Sequence, residues 1–173
     1  MIRSVVLGAA CAMVSTACLA HITLETRQAP AGATYKAIMR VPHGCEGTAT
    51  VAIRIKIPEG VVNVKPMPKP GWTLDMKKGK YAKTYVGNDE GAQVSEGVLE
   101  LSWSGGKLPN DNYDEFAFRA FLTPDLPAGK PVYFPIVQEC EKGVDRWIEI
   151  PADGKKLDDY QFPAAELMIT PKK

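Results

Sequence analysis

The segment Val51-Ala52-Ile53-Arg54-Ile55-Lys56-Ile57 alternates apolar and other residues with a period of two. Successive side chains of an extended strand point to opposite faces. Val51, Ile53, Ile55 and Ile57 therefore share one face and Arg54 and Lys56 the other. The same pattern runs through Val98–Trp103 and Phe116–Phe121. Shorter candidates are Ile22–Thr26, Tyr35–Val41, Trp72–Met76, Tyr81–Val86, Val132–Gln138, Trp147–Ile150 and Glu166–Ile169. Turn residues separate them: Pro58-Glu59-Gly60, Lys77-Lys78-Gly79, Ser104-Gly105-Gly106, Pro127-Ala128-Gly129 and Asp153-Gly154. No long stripe of period 3.6 competes with this pattern. Roughly ten short, closely spaced strands predict an all-β chain folded as a two-sheet antiparallel sandwich. The proline-rich Lys65–Pro70 fits an extended loop crossing between sheets. Met67 within it reads as a loop methionine, with soft metal ligation as the alternative.

The first twenty residues follow a different logic. Met-Ile-Arg precedes an apolar run from Val5 to Leu19, which ends at Ala20. One cation, a short apolar stretch and small residues at −3 and −1 (Cys18 and Ala20) mark a secretory signal peptide, with cleavage before His21. The alternative is a lipoprotein signal using Cys11 or Cys18. Neither has a leucine three residues before it, since Gly8 and Ser15 stand there. The expected organisation is a cleaved segment, residues 1–20, and one domain, residues 21–173, in the periplasm or secreted. Cleavage removes Arg3 alone among the charges, which leaves basic residues matched to the 20 acidic ones. A balanced chain argues against nucleic acid or an anionic membrane surface as partner. No second apolar run approaches the length of a membrane span.

Cleavage also reduces four cysteines to Cys45 and Cys140. In an oxidising compartment they have one intramolecular pairing, and a disulfide is expected. A two-thiolate metal site is the rival, and it requires a reducing compartment. Of the two histidines, His21 becomes the first residue after processing. Its free α-amine and its imidazole Nδ1 can chelate one ion in a six-membered ring. The amine's ordinary pKa of about 7.7–8.0 lets a metal displace its proton near neutrality. Nitrogen donors of this kind suit Cu(II). An accidental histidine at the cleavage point is the bland alternative.

Several segments together resemble the YcnI-like family (DUF1775). They are His21-Ile22-Thr23-Leu24, Arg40-Val41-Pro42-His43-Gly44-Cys45-Glu46-Gly47 and Lys65–Trp72. Ser102–Gly106, Leu108-Pro109, Tyr113–Phe116, Val137–Cys140 and Trp147 continue the likeness in order along the domain. The resemblance implies a cupredoxin-like antiparallel β-sandwich in a bacterial envelope. It also implies one Cu(II) ion held by a single-histidine brace. The brace maps onto His21, the carboxylate ligand onto Glu46, and a tryptophan near the ion onto Trp147, with Trp103 as a weaker match. His43, in the same loop as Glu46, is a possible alternative ligand. Many family members continue into a membrane helix or a second copper domain, whereas this chain stops at Lys173. The expected function is copper binding without catalysis, in storage, delivery or detoxification. The expected partners are a copper ion and other copper-handling proteins of the envelope. The alternatives are a copper-dependent redox enzyme and a structural envelope domain without metal. Asp114 and Glu115 adjoin on a strand and face opposite sides, so they read as salt-bridging or hydrogen-bonding residues.

Overall fold

A computed structural model describes residues 21–88 and 91–172. The expected signal segment, residues 1–20, lies outside the described residues. The described residues form twelve strands: β1 (Thr23–Leu24), β2 (Gln28–Pro30), β3 (Ala33–Val41), β4 (Thr50–Lys56), β5 (Val61–Pro66), β6 (Thr73–Val86), β7 (Gln93–Leu108), β8 (Asp114–Leu122), β9 (Pro131–Phe134), β10 (Ile136–Cys140), β11 (Val144–Trp147) and β12 (Ala165–Thr170). One 3₁₀ turn, Leu157–Asp159, interrupts the β structure.

The strands make three sheets, ordered β1-β3-β8-β5, β11-β10-β4-β7-β6 and β2-β12-β9. Every pairing is antiparallel except β2 with β12, which is parallel. One apolar core lies between the two larger sheets and takes Leu167 and Ile169 from the third. Ile53, Ile55, Leu101 and Trp103 enter it from one side, and Met39, Phe116 and Phe118 from the other. Burying an Ile, Leu, Met or Phe of this kind contributes about 1.5–3 kcal/mol each. The expected all-β sandwich is the observed architecture.

The departures have local causes. Val51 is half-buried, while Thr50 and Ala52 are buried. A bulge shifts the β4–β7 register between Thr50 and Ala52, and an extra residue turns the side chains beside it. Lys77-Lys78-Gly79 and Ser104-Gly105-Gly106 are not turns. They lie inside the long strands β6 and β7, where Lys77-Lys78-Gly79 and Ser104 pair across the hairpin, with a register shift at Lys77/Lys78. Gly106 is required there because a Cβ would stand 2.2 Å from the Trp72 ring. Val132–Gln138 is two strands, since Pro135 lacks the N–H that a ladder needs. The break sends β9 and β10 to different sheets. Trp147 ends its strand instead of beginning one.

The far end of the hairpin packs Tyr81, Tyr85 and Val94 against Val62 and Phe121, a second small cluster. Glu59 accepts hydrogen bonds from the Tyr85 hydroxyl at 2.7 Å and the Ala82 N–H at 3.1 Å. That carboxylate ties the hairpin to the turn before β5. The segment after Pro66 crosses from one large sheet to the other, as expected. Trp103 Nε1 donates to the Met67 carbonyl at 3.1 Å, and Lys69 pairs with Asp114 at 2.6 Å. Asp114 thus plays the salt-bridging part expected of it. Trp103, anchored in the core on this loop, is not the tryptophan beside His21.

Candidate metal centre

Gln138 is fully buried at the middle of β10. Strand alternation would normally place an apolar residue there, because Ile136 and Cys140 flank it on the same face. Its amide instead joins three elements. Nε2 donates to the His43 carbonyl and to Thr50 Oγ1, each at 2.7 Å. Oε1 accepts from Trp147 Nε1 at 2.9 Å. Every polar atom of this buried amide is therefore used, which is the condition for burying one at little cost.

Trp147, only 2% exposed, carries the two histidines on its ring. The His21 ring lies 5.9 Å from it and the His43 ring 6.4 Å, both edge-on. Phe162 packs on it at 5.2 Å. The placement of His21 follows from pairing: Thr23 opposes Arg40 in the β1–β3 ladder. Two residues further along an antiparallel register, His21 comes level with Pro42, beside His43. His21 Nε2 is buried without a hydrogen-bond partner. A cavity of about 100 Å³ beside this residue has Asp158 and Glu166 in its lining and is roomy enough for water. His43 Nδ1 lies 2.5 Å from the Gly44 carbonyl. That bond puts the proton on Nδ1 and leaves the lone pair of a neutral ring on Nε2.

The loop carrying His43 and Glu46 is tightly tied down. Cys45 and Cys140 are joined by a disulfide, with Cα atoms 5.7 Å apart. Thr48 N–H donates to the Cys45 carbonyl at 2.8 Å and closes a turn. A Cβ on Gly44 would stand 1.7 Å from the Thr48 carbonyl oxygen, so only glycine fits. Glu46 sits in the left-handed region at φ 47°, uncommon for a residue with a side chain. Its carboxylate is exposed and lies over Gly143, 3.5 Å from where a Cβ would be. Asp145 belongs to the same corner. It pairs with Gln138 across β10–β11 and shares its strand face with Trp147. Burial raises its pKa above the usual carboxylate value, Glu46 adds to the rise, and His43 opposes it.

The structure thus gathers His21, His43 and Trp147 directly, and sets Glu46 and Asp145 at the edge of the same corner. No hydrogen bond or ion pair joins His21 to Glu46 among the described residues. Nor do three His, Cys, Asp or Glu side chains there cluster closely enough to hold an ion by themselves. Gln138 and Asp145 were not singled out from sequence. The signal available was the alternation in Val144-Asp145-Arg146-Trp147, which puts Asp145 on the face of Trp147.

An all-β sandwich with a histidine–tryptophan–carboxylate corner, clamped by one disulfide, is the class that fold and site define. The chain belongs to the family DUF1775, described as a domain of unknown function, whose pattern covers residues 21–169. An uncharacterized protein from Nocardia farcinica, with a crystal structure that reveals an immunoglobulin-like fold, is similar at a TM-score of 0.63 and 22% identity. The likeness covers 87% of this chain and 98% of that one, and at this identity it speaks for the fold alone. No curated protein matches the chain.

Proposed function

We propose that the chain, processed to begin at His21, is an exported protein that binds one Cu(II) ion in the cell envelope for storage or delivery. The observation that carries the reading is the placement of the His21 ring edge-on against the buried Trp147, with the His43 ring on the same indole. The donors suit the ion. The α-amine and imidazole of His21 supply two nitrogens from one residue, and Glu46 supplies an oxygen. Because side chains alone form no three-ligand cluster among the described residues, the amine is essential to the donor count. Trp147 walls the corner and limits solvent, and Gln138 holds that wall in place, as outer groups of metal sites do.

A second reading is a copper redox enzyme, favoured by the second imidazole, His43, on the same tryptophan. Oxygen consumption with a reductant separates the two readings. The proposal itself is tested by Cu(II) titration of protein beginning at His21 and of protein with one glycine ahead of it. The extension keeps the imidazole and converts the chelating amine to an amide. It is expected to weaken binding severely, as is His21→Ala. Glu46→Gln is expected to have an intermediate effect and His43→Ala a mild one. Equal binding by the processed and extended proteins would overturn the brace.

A further inference from the structure

Three cations stand in one row on the outer face of the β1-β3-β8-β5 sheet. Lys36 of β3 opposes Arg119 of β8, and Arg119 opposes Lys65 of β5. All three are exposed. The ion pairs among the described residues engage Arg54, Lys69, Lys83 and Lys107, and none of these three. Elsewhere the chain sets opposite charges across its ladders: Lys77 faces Glu100, and Lys80 faces Glu96. Like charges directly opposite one another are destabilising, so this row is an exception that the fold itself does not need.

The row borders an apolar groove. A cavity of about 520 Å³ runs between Lys36 and Lys65 over Pro66, Met67, Pro68 and Ala117. Met67 is 53% exposed. The wall is preformed: Trp103 holds the Met67 carbonyl, and the Met67 N–H donates to the Ala117 carbonyl at 2.9 Å. Little ordering is left to pay on binding. On the other side of the row, a second cavity of about 340 Å³ shares Thr34, Lys65 and Arg119 and adds the amides of Asn63 and Asn88.

We propose that this face binds an acidic, extended segment of a partner protein, with carboxylates on the Lys36–Arg119–Lys65 row and an aliphatic side chain in the Met67 groove. Strands lie about 4.8 Å apart, so the row is about 10 Å across. Alternate residues of an extended peptide are about 7 Å apart, which lets two carboxylates reach it together. An anionic bilayer fits poorly. Glu115 shares the face of Arg119 by strand alternation and would be pressed against the headgroups. The cationic region is one row wide on a chain of balanced charge.

The test uses protein beginning at His21, without copper, so its outcome is independent of the metal site. A phage-displayed library of random twelve-residue peptides is panned on it, and selected peptides are titrated by fluorescence anisotropy. Enrichment of peptides with two or more Asp or Glu beside an aliphatic residue is expected. The Kd should weaken at least tenfold in Lys36→Gln/Lys65→Gln/Arg119→Gln, and again in 0.5 M salt. That variant should melt no lower than the parent, because it loses only repulsion, which separates loss of binding from loss of fold. Three results overturn the proposal: no acidic enrichment, acidic peptides that bind the triple variant equally well, or capture by phosphatidylglycerol vesicles and not by peptides.

Discussion

Replacing Gln138 with leucine tests whether the buried amide is the support of the corner. Leucine keeps most of the volume and removes all three hydrogen bonds. Two buried groups then lose a partner, the Trp147 indole N–H and the Thr50 hydroxyl, which keeps only the Cys140 sulfur, and the part-buried His43 carbonyl loses its donor. Each unpaired buried group costs roughly 1–3 kcal/mol. The added apolar burial returns part of this, on the order of 1 kcal/mol or more. The expected net loss is about 3 kcal/mol. For a domain of this size that lowers the Tm by about 6–12 °C. Urea unfolding of wild type and variant, followed by tryptophan fluorescence and by circular dichroism, measures it. A change below about 0.5 kcal/mol, the range of ordinary surface substitutions, would refute the reasoning. It would mean that water or a shifted backbone satisfies both groups. On the copper reading, Gln138→Leu also weakens Cu(II) binding without touching a ligand.

Removing the disulfide with Cys45→Ala/Cys140→Ala opens a loop with a sequence separation of 95. The expected loss is about 4–5 kcal/mol in the loop-entropy model, and a denaturant midpoint that barely moves would contradict it. Tyr85 has its pKa pushed up to about 12, by burial first and then by its bond and proximity to Glu59. The folded state therefore holds that proton more tightly than the unfolded chain does. The stabilisation is fully present below about pH 10 and is lost as pH rises toward 12. Tyr85→Phe should cost roughly 1–3 kcal/mol at neutral pH, and the gap from wild type should close across that alkaline window in pH-dependent melts. Gly44→Ala should disturb the loop of His43 and Glu46, since the new methyl meets backbone rather than a movable side chain. Loss of the native environment of His43 in NMR spectra checks it, and an unperturbed spectrum would show that the loop can shift.

Much of the architecture was legible because period-two patterning reports directly on which face of a strand is wet. Ile53, Ile55 and Ile57 are buried as their spacing requires, and Arg54 and Lys56 are exposed. Cys45 and Cys140 were legible by count. What escaped depends on contacts remote in sequence. Val51 was misplaced because a bulge is set by the partner strand. Lys77-Lys78-Gly79 looked like a turn, and only a sixteen-residue partner, β7, keeps it extended. β5 and β2 were missed because each ends on a proline, Pro66 and Pro30, that edge strands tolerate. At the site, His21, His43, Glu46 and Trp147 stood out as chemistry-bearing residues. Gln138 did not, because a glutamine within a strand reads as solvent-facing until its three partners are placed around it.

The parallel pairing of β2 with β12 joins residues 28–30 to residues 168–170, and it sets a timetable. A chain that emerges N-terminus first presents His21 at the outset, but Gln138 and Trp147 arrive more than a hundred residues later. Neither the tryptophan wall nor the clamp on the Glu46 loop exists until then, and the third sheet closes only when β12 arrives. Contacts so distant in sequence form late and slowly. On the proposed reading, processing at His21 can therefore precede folding, whereas the corner that surrounds His21 is among the last parts of the molecule to be built.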